Sequence, residues 1–367
     1  MLRTIGAIPR FLKLYLATFK KLSYVVNLKR AKRKPRKQRK QPLFRTPVII
    51  SLGSGAGRIL SHIKTESTKI AVNNSERDLR ILRGVNRRLV VGDNHGGSGM
   101  NVDKGRADFN SGATKLVQLI QRASDDQGYK EIDLLPIIAT LGHGFGSGSL
   151  PEALKVLRSR FPKSVLMAVA ITPFHHQGVA IRERAMSALR LCKQENMAVT
   201  PISNQIAADR LNIEPQKLSY NDTYVSINEA ITSLLSSLIN AMSAEEGVVE
   251  SIDRNDLKRI WQPPSVLIGE AKYDMETALG IQSPHDAVKK IFAERVVAAT
   301  GKPTKTYPTI FIIDTGGKVS MAQVSSITET LTSEYHADTE TLKPLIIERE
   351  RIDTRFILIR GGVELNV

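Results

Sequence analysis

The first 45 residues contain no carboxylate, although they hold 15 lysines and arginines; the first acidic residue is Glu66. Beyond that segment 38 basic residues face 36 acidic ones, so the net charge of +17 belongs to a tail and not to the body. A body so balanced lacks the excess cation of a nucleic-acid groove, and no nucleic-acid partner is expected. One cysteine, Cys192, in 367 residues excludes a disulfide framework and a thiolate metal cluster. That scarcity fits a reducing compartment. Aromatics make up 5% against 41% apolar residues, the balance of an ordinary α/β protein. No run of about 18 apolar residues is present to span a bilayer. Length alone suggests two domains and an appendage.

What the tail does hold is patterned. On a helical wheel Ile5, Ile8, Phe11, Leu12, Tyr15, Leu16, Phe19 and Leu22 fall on an arc of about 140°, with Arg10, Lys13, Lys20 and Lys21 opposite. Leu14 breaks the pattern, and Pro9 belongs in a first turn or ends the segment there. The run LKRAKRKPRKQRK that follows is too charged to pack. An apolar stripe followed by a polybasic run supplies the two signals that hold a protein on an anionic leaflet. A targeting peptide is also basic and amphipathic, and a disordered or nucleic-acid-binding arm is a third reading.

The body alternates apolar runs with glycine loops. VIISL leads into GSGAGR, with Gly53, Ser54, Gly55, Ala56, Gly57 and Arg58. VVGDN leads into GGSGMN, with Gly97, Ser98, Gly99, Met100 and Asn101. IDLLPIIATL leads into GHGFGSG, where Gly142, Gly144, Gly146 and Gly148 alternate with His143, Phe145 and Ser147. SVLMAVAIT ends in PFHHQG before a helical run. Strands alternating with helices predict an α/β fold with a doubly wound parallel sheet, its loops gathered at the strands' C-terminal ends. Glycines there leave N–H groups open to a phosphate, although any tight strand-to-helix turn uses glycine too. A dinucleotide fold is disfavoured, because Arg58 stands where its third glycine belongs and the second strand ends in Asn73 and Asn74 without a ribose-binding acid. Ser147 offers a hydroxyl donor to the same anion, and His143 either contacts a phosphate or shapes the turn.

Asp253 and Asp256 lie three apart at a helix start, where they serve either a reacting phosphate or the helix dipole. Tyr224 and Asn228 share one helix face, either to stack on and read a base or as an ordinary half-exposed face. The adjacent His175 and His176 lack the carboxylates of a metal site, and no side-chain metal centre is expected.

These loops, in this order from about residue 47 to 361, resemble the tubulin and bacterial cell-division FtsZ superfamily. GHGFGSG matches that family's G-G-G-T-G-[ST]-G at five of seven places. GGSGMNVDKG is similar to its γ-phosphate loop, AVAITPFHHQG to its ribose strand, and NDTYVSINEAITSLLSSLI to its central helix. ESIDRNDLKRI and FIIDTGGKVSMAQVSSITETL resemble its catalytic loop and its second-domain turn. The resemblance implies a GTP-binding domain over 46–217, a central helix over 218–242 and an α+β C-terminal domain over 243–367, behind the extension of 1–45. It implies GTP or GDP with Mg2+, Pro173 and Gln177 at the ribose, and Tyr224 and Asn228 at guanine. It also implies head-to-tail polymerisation, with Asp253 and Asp256 completing the next subunit's site. With the amphipathic tail, the expectation is a self-tethered filament protein on the inner face of the cell membrane, in division or cell shape.

Four departures qualify this. His143 and Phe145 replace a glycine and a threonine, making the phosphate loop bulkier; Gln177 replaces a glutamate; Ile181 replaces an arginine, with Arg182 adjacent; Ser251 replaces an asparagine. They leave open an alternative, a membrane-associated GTP-binding scaffold with little hydrolysis. The sequence given ends at GGVELNV, without the family's adaptor-binding tail, which fits a protein carrying its own anchor.

Overall fold

A computed structural model describes residues 42–93, 96–210, 219–244, 252–263, 265–274, 284–293, 306–340, 342–350 and 353–363. The apolar stripe from Ile5 to Leu22 and Ser251 lie outside these residues.

The chain opens with strand β1 (Val48–Leu52), helix α1 (Ser54–His62), β2 (Thr68–Asn73), the short α2 (Glu76–Arg80) and β3 (Arg87–Val90). It continues with α3 (Val102–Asp126), β4 (Leu134–Thr140), α4 (Gly144–Arg160), β5 (Val165–Thr172), α5 (Val179–Gln194) and β6 (Val199–Ser203). The six strands make one sheet in the order β3-β2-β1-β4-β5-β6, and every pairing is parallel. The doubly wound expectation therefore holds. Strand order reverses between β1 and β4, which leaves a crevice beyond their C-terminal ends.

All of β1 and most of β4 are buried, as expected of parallel strands covered on both faces. Alternation along β1 sends Ile49 into one apolar cluster, with Ile59 and Leu60 of α1. It sends Val48, Ile50 and Leu52 into another, with Phe109 of α3, Leu150 of α4 and Leu189 of α5. Cys192 sits in that second cluster as a small buried hydrophobe, its thiol pushed up to about 12 by burial.

After α6 (Asn204–Arg210) comes the long α7 (Tyr220–Met242), whose N-cap Ser219 accepts from the Asp222 N–H at 3.1 Å. Ile227, Ile231, Leu234, Leu235, Leu238 and Ile239 recur at helical spacing and are buried in the first cluster. The same cluster takes in the second sheet, so α7 is shared between the two layers. That sheet follows α8 (Arg254–Ile260) and consists of β7 (Leu267–Asp274), β8 (Thr309–Thr315), β9 (Lys343–Glu348) and β10 (Asp353–Arg360). Its order is β7-β10-β8-β9, antiparallel except for β8 with β9, with α9 (Pro284–Ala293) and α10 (Met321–Ser333) between its strands in sequence. No helix among the described residues is long and apolar enough to cross a membrane.

Two glycines fix how the first sheet's helices meet. A Cβ on Gly105 of α3 would lie 2.3 Å from the Gly144 carbonyl oxygen, and one on Gly148 of α4 would lie 2.2 Å from the Val102 carbonyl oxygen. The backbones of α3 and α4 therefore touch where any side chain would part them. Gly→Ala in an ordinary helix stabilises by about 1 kcal/mol. Here the contact is with backbone, so overpacking should reverse the sign, at a cost of about 1–3 kcal/mol. Gly148→Ala is expected to lower the thermal midpoint by several degrees in calorimetry; an unchanged or higher midpoint would refute the close approach.

Candidate functional site

A cavity of about 390 Å³ opens in the crevice between β1 and β4. Four strand ends build its wall: Gly53, Ser54 and Gly55 at β1, Asn73, Asn74, Ser75, Arg77 and Asp78 at β2, Gly96–Gly99 at β3, and Thr140, His143, Phe145 and Gly146 at β4. Convergence of four loops on one place is what a parallel sheet allows at its switch point.

Two helices begin at this cavity. Helix α1 has Gly53 at its N-cap, at φ 92, and α4 has His143; neither cap residue contributes a side-chain hydrogen bond. The first N–H groups of a helix have no partner within it. In α4 the first is used, donating from Gly144 to the Gly99 carbonyl at 3.0 Å, which leaves Phe145 and Gly146 next in line. In α1, Ser54, Gly55 and Ala56 occupy the corresponding places, and Gly57 donates back to the Gly53 carbonyl at 2.9 Å. Two positive helix ends facing one cavity favour an anion, each by about 0.3–1 kcal/mol or more when sheltered.

The loops are braced from behind. Gly97 donates to the Asn74 carbonyl at 3.1 Å, and Asn101 caps α3 by accepting from Lys104 N at 2.9 Å. The Asn74 amide donates to Asp108 at 2.6 Å, and Lys104 pairs with the same carboxylate at 2.8 Å. Asn73 donates to the Ser54 hydroxyl at 3.0 Å, and that hydroxyl donates to Asp78. On the far side Arg184 donates to the Gly142 carbonyl at 2.8 Å, and Met100, half exposed, lies against its guanidinium. Burial, and secondarily the Arg184 charge, lowers the His143 pKa below its usual value, so the imidazole is neutral near pH 7. Arg77 is the one fixed cation, and Asp78 the one carboxylate, among the described residues of the lining.

Several residues named from sequence have other positions. Ser147 is 1% exposed and turned inward, its hydroxyl accepting from the Gly142 N–H at 2.8 Å, so it closes the loop from within. Phe145 is 5% exposed and belongs to the second apolar cluster, while it also borders the cavity. Gly57 faces Leu82, Gly148 faces α3, Ala56 is core and Arg58 is exposed, and none of the four lines the cavity. Pro173, Gln177, Tyr224 and Asn228 are also outside the lining. They belong to the neighbouring β5 end and the start of α7. Gln177 accepts from the Phe174 N–H at 2.9 Å, and Phe174 meets Tyr224 edge to face at 5.2 Å between centroids. The ribose and base candidates thus share one edge of the sheet with the phosphate candidates, one strand over.

Sequence reading missed Asn73, Asn74, Ser75, Arg77, Asp78 and Thr140 in the cavity wall. The polar stretch NNSERD directly after an apolar strand was the available signal, since parallel topology carries every strand end to one edge.

Asp253 and Asp256 are elsewhere. Asp253 is the N-cap of α8, one oxygen accepting from the N–H groups of Asn255 at 2.7 Å and Asp256 at 2.9 Å. Asp256 returns a bond, accepting from the Asp253 N–H at 2.9 Å. Each carboxylate uses one oxygen for this reciprocal cap at the helix start; Asp253 is exposed and Asp256 half-buried. Arg254 between them pairs with Glu131 at 3.1 Å and with Asp133, the residue before β4. Thr140, at the other end of β4, lines the cavity. The acids and the cavity are therefore separated by the length of β4, about 20 Å at roughly 3.3 Å per residue, and stand at opposite edges of one sheet. Among the described residues no group of His, Cys, Asp or Glu could by itself hold a metal ion.

Residues 47–212 match the family model described as "Tubulin/FtsZ family, GTPase domain". The tubulin-like protein CetZ of Pyrococcus abyssi is 24% identical over 237 residues, 62% of each chain. Tubulin-like protein CetZ2 of Haloferax volcanii is 28% identical over 216 residues, 56% of this chain and 57% of that one. The matched region thus spans less than two thirds of these relatives' length. In fold, the chain is similar to a GTPgS-bound protofilament of the Haloferax CetZ2, with a TM-score of 0.69 at 20% identity over 87% of this chain and 93% of that one. It is equally similar to an empty FtsZ dimer of M. jannaschii, with a TM-score of 0.69 at 16% identity over 98% and 93%. Residues 47–212 thus match a tubulin/FtsZ GTPase domain, and the chain is similar, at 24–28% identity, to tubulin-like CetZ proteins.

Proposed function

We propose that this protein binds GTP in the switch-point cavity and assembles head to tail, and that a neighbouring copy completes the hydrolytic site. The supporting observation is the placement of its two halves. Two helix N-termini face one cavity at the C-terminal edge of the sheet, and two capped carboxylates, Asp253 exposed and Asp256 half-buried, stand at the opposite edge. A single chain cannot bring them together across β4; two copies stacked in the same orientation can. Such an interface is heterologous and generates open filaments.

The chemistry follows from the residues. The amides at the starts of α1 and α4 hold the phosphates, and Arg77 adds the fixed positive charge at the wall. Asp78, held by Ser54, provides a hard oxygen donor that suits Mg2+, which when bound would offset phosphate charge. A second-copy Asp253 or Asp256, its first oxygen engaged in the cap, can turn the other to a water aimed at the terminal phosphate. Capping keeps that carboxylate in place, and positioning is most of what phosphoryl transfer asks of a protein.

The extension of 1–45 is proposed as a peripheral anchor for the cytoplasmic face of the cell membrane, supported by its apolar arc, opposed lysines and lack of acids. A role in division or cell shape would then come from a filament laid on that surface.

Three outcomes check this reading. Asp256→Ala should still bind GTP and co-assemble but hydrolyse little alone, and an equal mixture with the parent should turn over GTP at about half the parental rate per subunit, because half of the interfaces then lack the acid. Parent and variant hydrolysing at equal, near-zero rates would favour the scaffold. Arg77→Ala should weaken GTP binding in calorimetry about 5–30-fold, the loss of roughly 1–2 kcal/mol for a charge-assisted contact; unchanged affinity would remove Arg77 from the site. Deleting residues 1–40 should abolish sedimentation with phosphatidylserine vesicles, and undiminished binding would refute the anchor.

A further inference from the structure

The acids proposed for the reaction are mounted on an ion cluster at the N-terminal edge of the sheet. Its centre is Asp133, 6% exposed. Asp133 accepts from the Arg45 N–H at 2.9 Å, from Arg45 Nε at 2.7 Å and from Arg45 Nη2 at 2.9 Å. The Arg45 carbonyl accepts in return from the N–H groups of Asp133 at 2.9 Å and Leu134 at 3.3 Å. Arg254 pairs with the same Asp133 carboxylate and with Glu131, which also receives Lys163 at 2.9 Å and Arg45 at 3.4 Å. Burial would raise the Asp133 pKa, but the Arg45 hydrogen bonds and the two guanidinium charges outweigh it and hold the group ionised. Lys163, then Arg254, hold Glu131 at about 2.

Arg45 arrives on a short strap. Leu43 donates to the Ala244 carbonyl at 2.8 Å and Phe44 to the Met242 carbonyl at 3.0 Å, with Phe44 2% exposed. The segment that follows the basic extension in sequence is thus fastened both to the C-terminal end of α7 and, through Asp133, to Arg254.

Stability of α8 does not account for Arg254. A cation in a helix's first turn faces the positive helix end, which is unfavourable, and the Asp253 carboxylate already accepts from the N–H groups of Asn255 and Asp256. Nor does Asp133 need a second partner, since Arg45 alone gives it three hydrogen bonds. Arg254 stands between the two acids in sequence, and its guanidinium is folded onto its own subunit's edge, 23% exposed, not extended toward a neighbour.

We propose that Arg254, clamped on Asp133 and Glu131 beside Arg45, is a positioning residue that fixes the Asp253–Asp256 turn for reaction with the adjacent copy's nucleotide. The strap of residues 43–45 is then part of the hydrolytic mount. This rests on the function proposed above only for its catalytic consequence; the mechanical claim stands separately.

The experiment uses the full chain with Arg254→Met and Arg254→Lys, alongside Asp256→Ala. Asp133 keeps Arg45 in each Arg254 variant, so the fold should survive. Hydrogen exchange across 252–260 should accelerate at least tenfold in Arg254→Met, with exchange around the cavity unchanged. Turnover per polymerised subunit should fall about tenfold while the apparent KM for GTP stays within twofold, and Arg254→Lys should recover at least a third of it. Unchanged exchange across 252–260 would overturn the clamp. Faster exchange with parental turnover, or a loss of turnover traced wholly to lost polymer, would overturn its positioning role. If parent and Asp256→Ala turn over GTP equally, the functional reading fails instead, and the exchange result still decides the clamp.

Discussion

The structure depends on the meeting of two helix N-termini at the one place where a parallel sheet reverses its strand order. Helices α1 and α4 follow β1 and β4, the two strands that flank the reversal, so their positive ends share a cavity. Little else there is charged: one arginine, one carboxylate and a neutral imidazole. An anion would be held mainly by backbone, and backbone can do so only where side chains stay out. That requirement shapes the loops, the packing of α3 on α4, and the bracing by Asn74, Asp108 and Lys104 behind them.

The opposite edge obeys another rule. Charges there are paired, and the pairs tie chain segments far apart in sequence: residue 45, the start of β4, and α8. One edge presents open donors and the other presents carboxylates. A molecule with complementary ends and one orientation tends to repeat along a line. The chains solved in a CetZ2 protofilament and in an FtsZ dimer are similar to this one in fold.

Much of this was legible in the sequence, and the failures share one cause. Apolar runs leading into glycine loops, repeated along the chain, are enough to place four strands, their helices and the edge where the loops gather. The glycines' individual roles are not legible. Gly53 has φ 92 at a helix start, Gly148 admits the backbone of α3, and Gly57 admits Leu82; a sequence shows the same letter for each. Phe145 and Ser147 look like intruders in a phosphate loop because spacing does not say which way a side chain turns. Both turn inward, one into the core and one onto the Gly142 N–H. Arg77 and Asp78 were passed over because they follow a strand that lacks glycines. The Arg254 clamp is invisible in sequence, since its partners lie more than 100 positions away.

The central claim is that the cavity and the acids that serve it come from different copies of the chain. The most direct measurement is GTP turnover per subunit against total protein concentration. The account predicts a rate near zero at high dilution, a steep rise across the assembly range and a plateau once assembly is complete. A rate per subunit independent of concentration would place the whole reaction within one chain and contradict it.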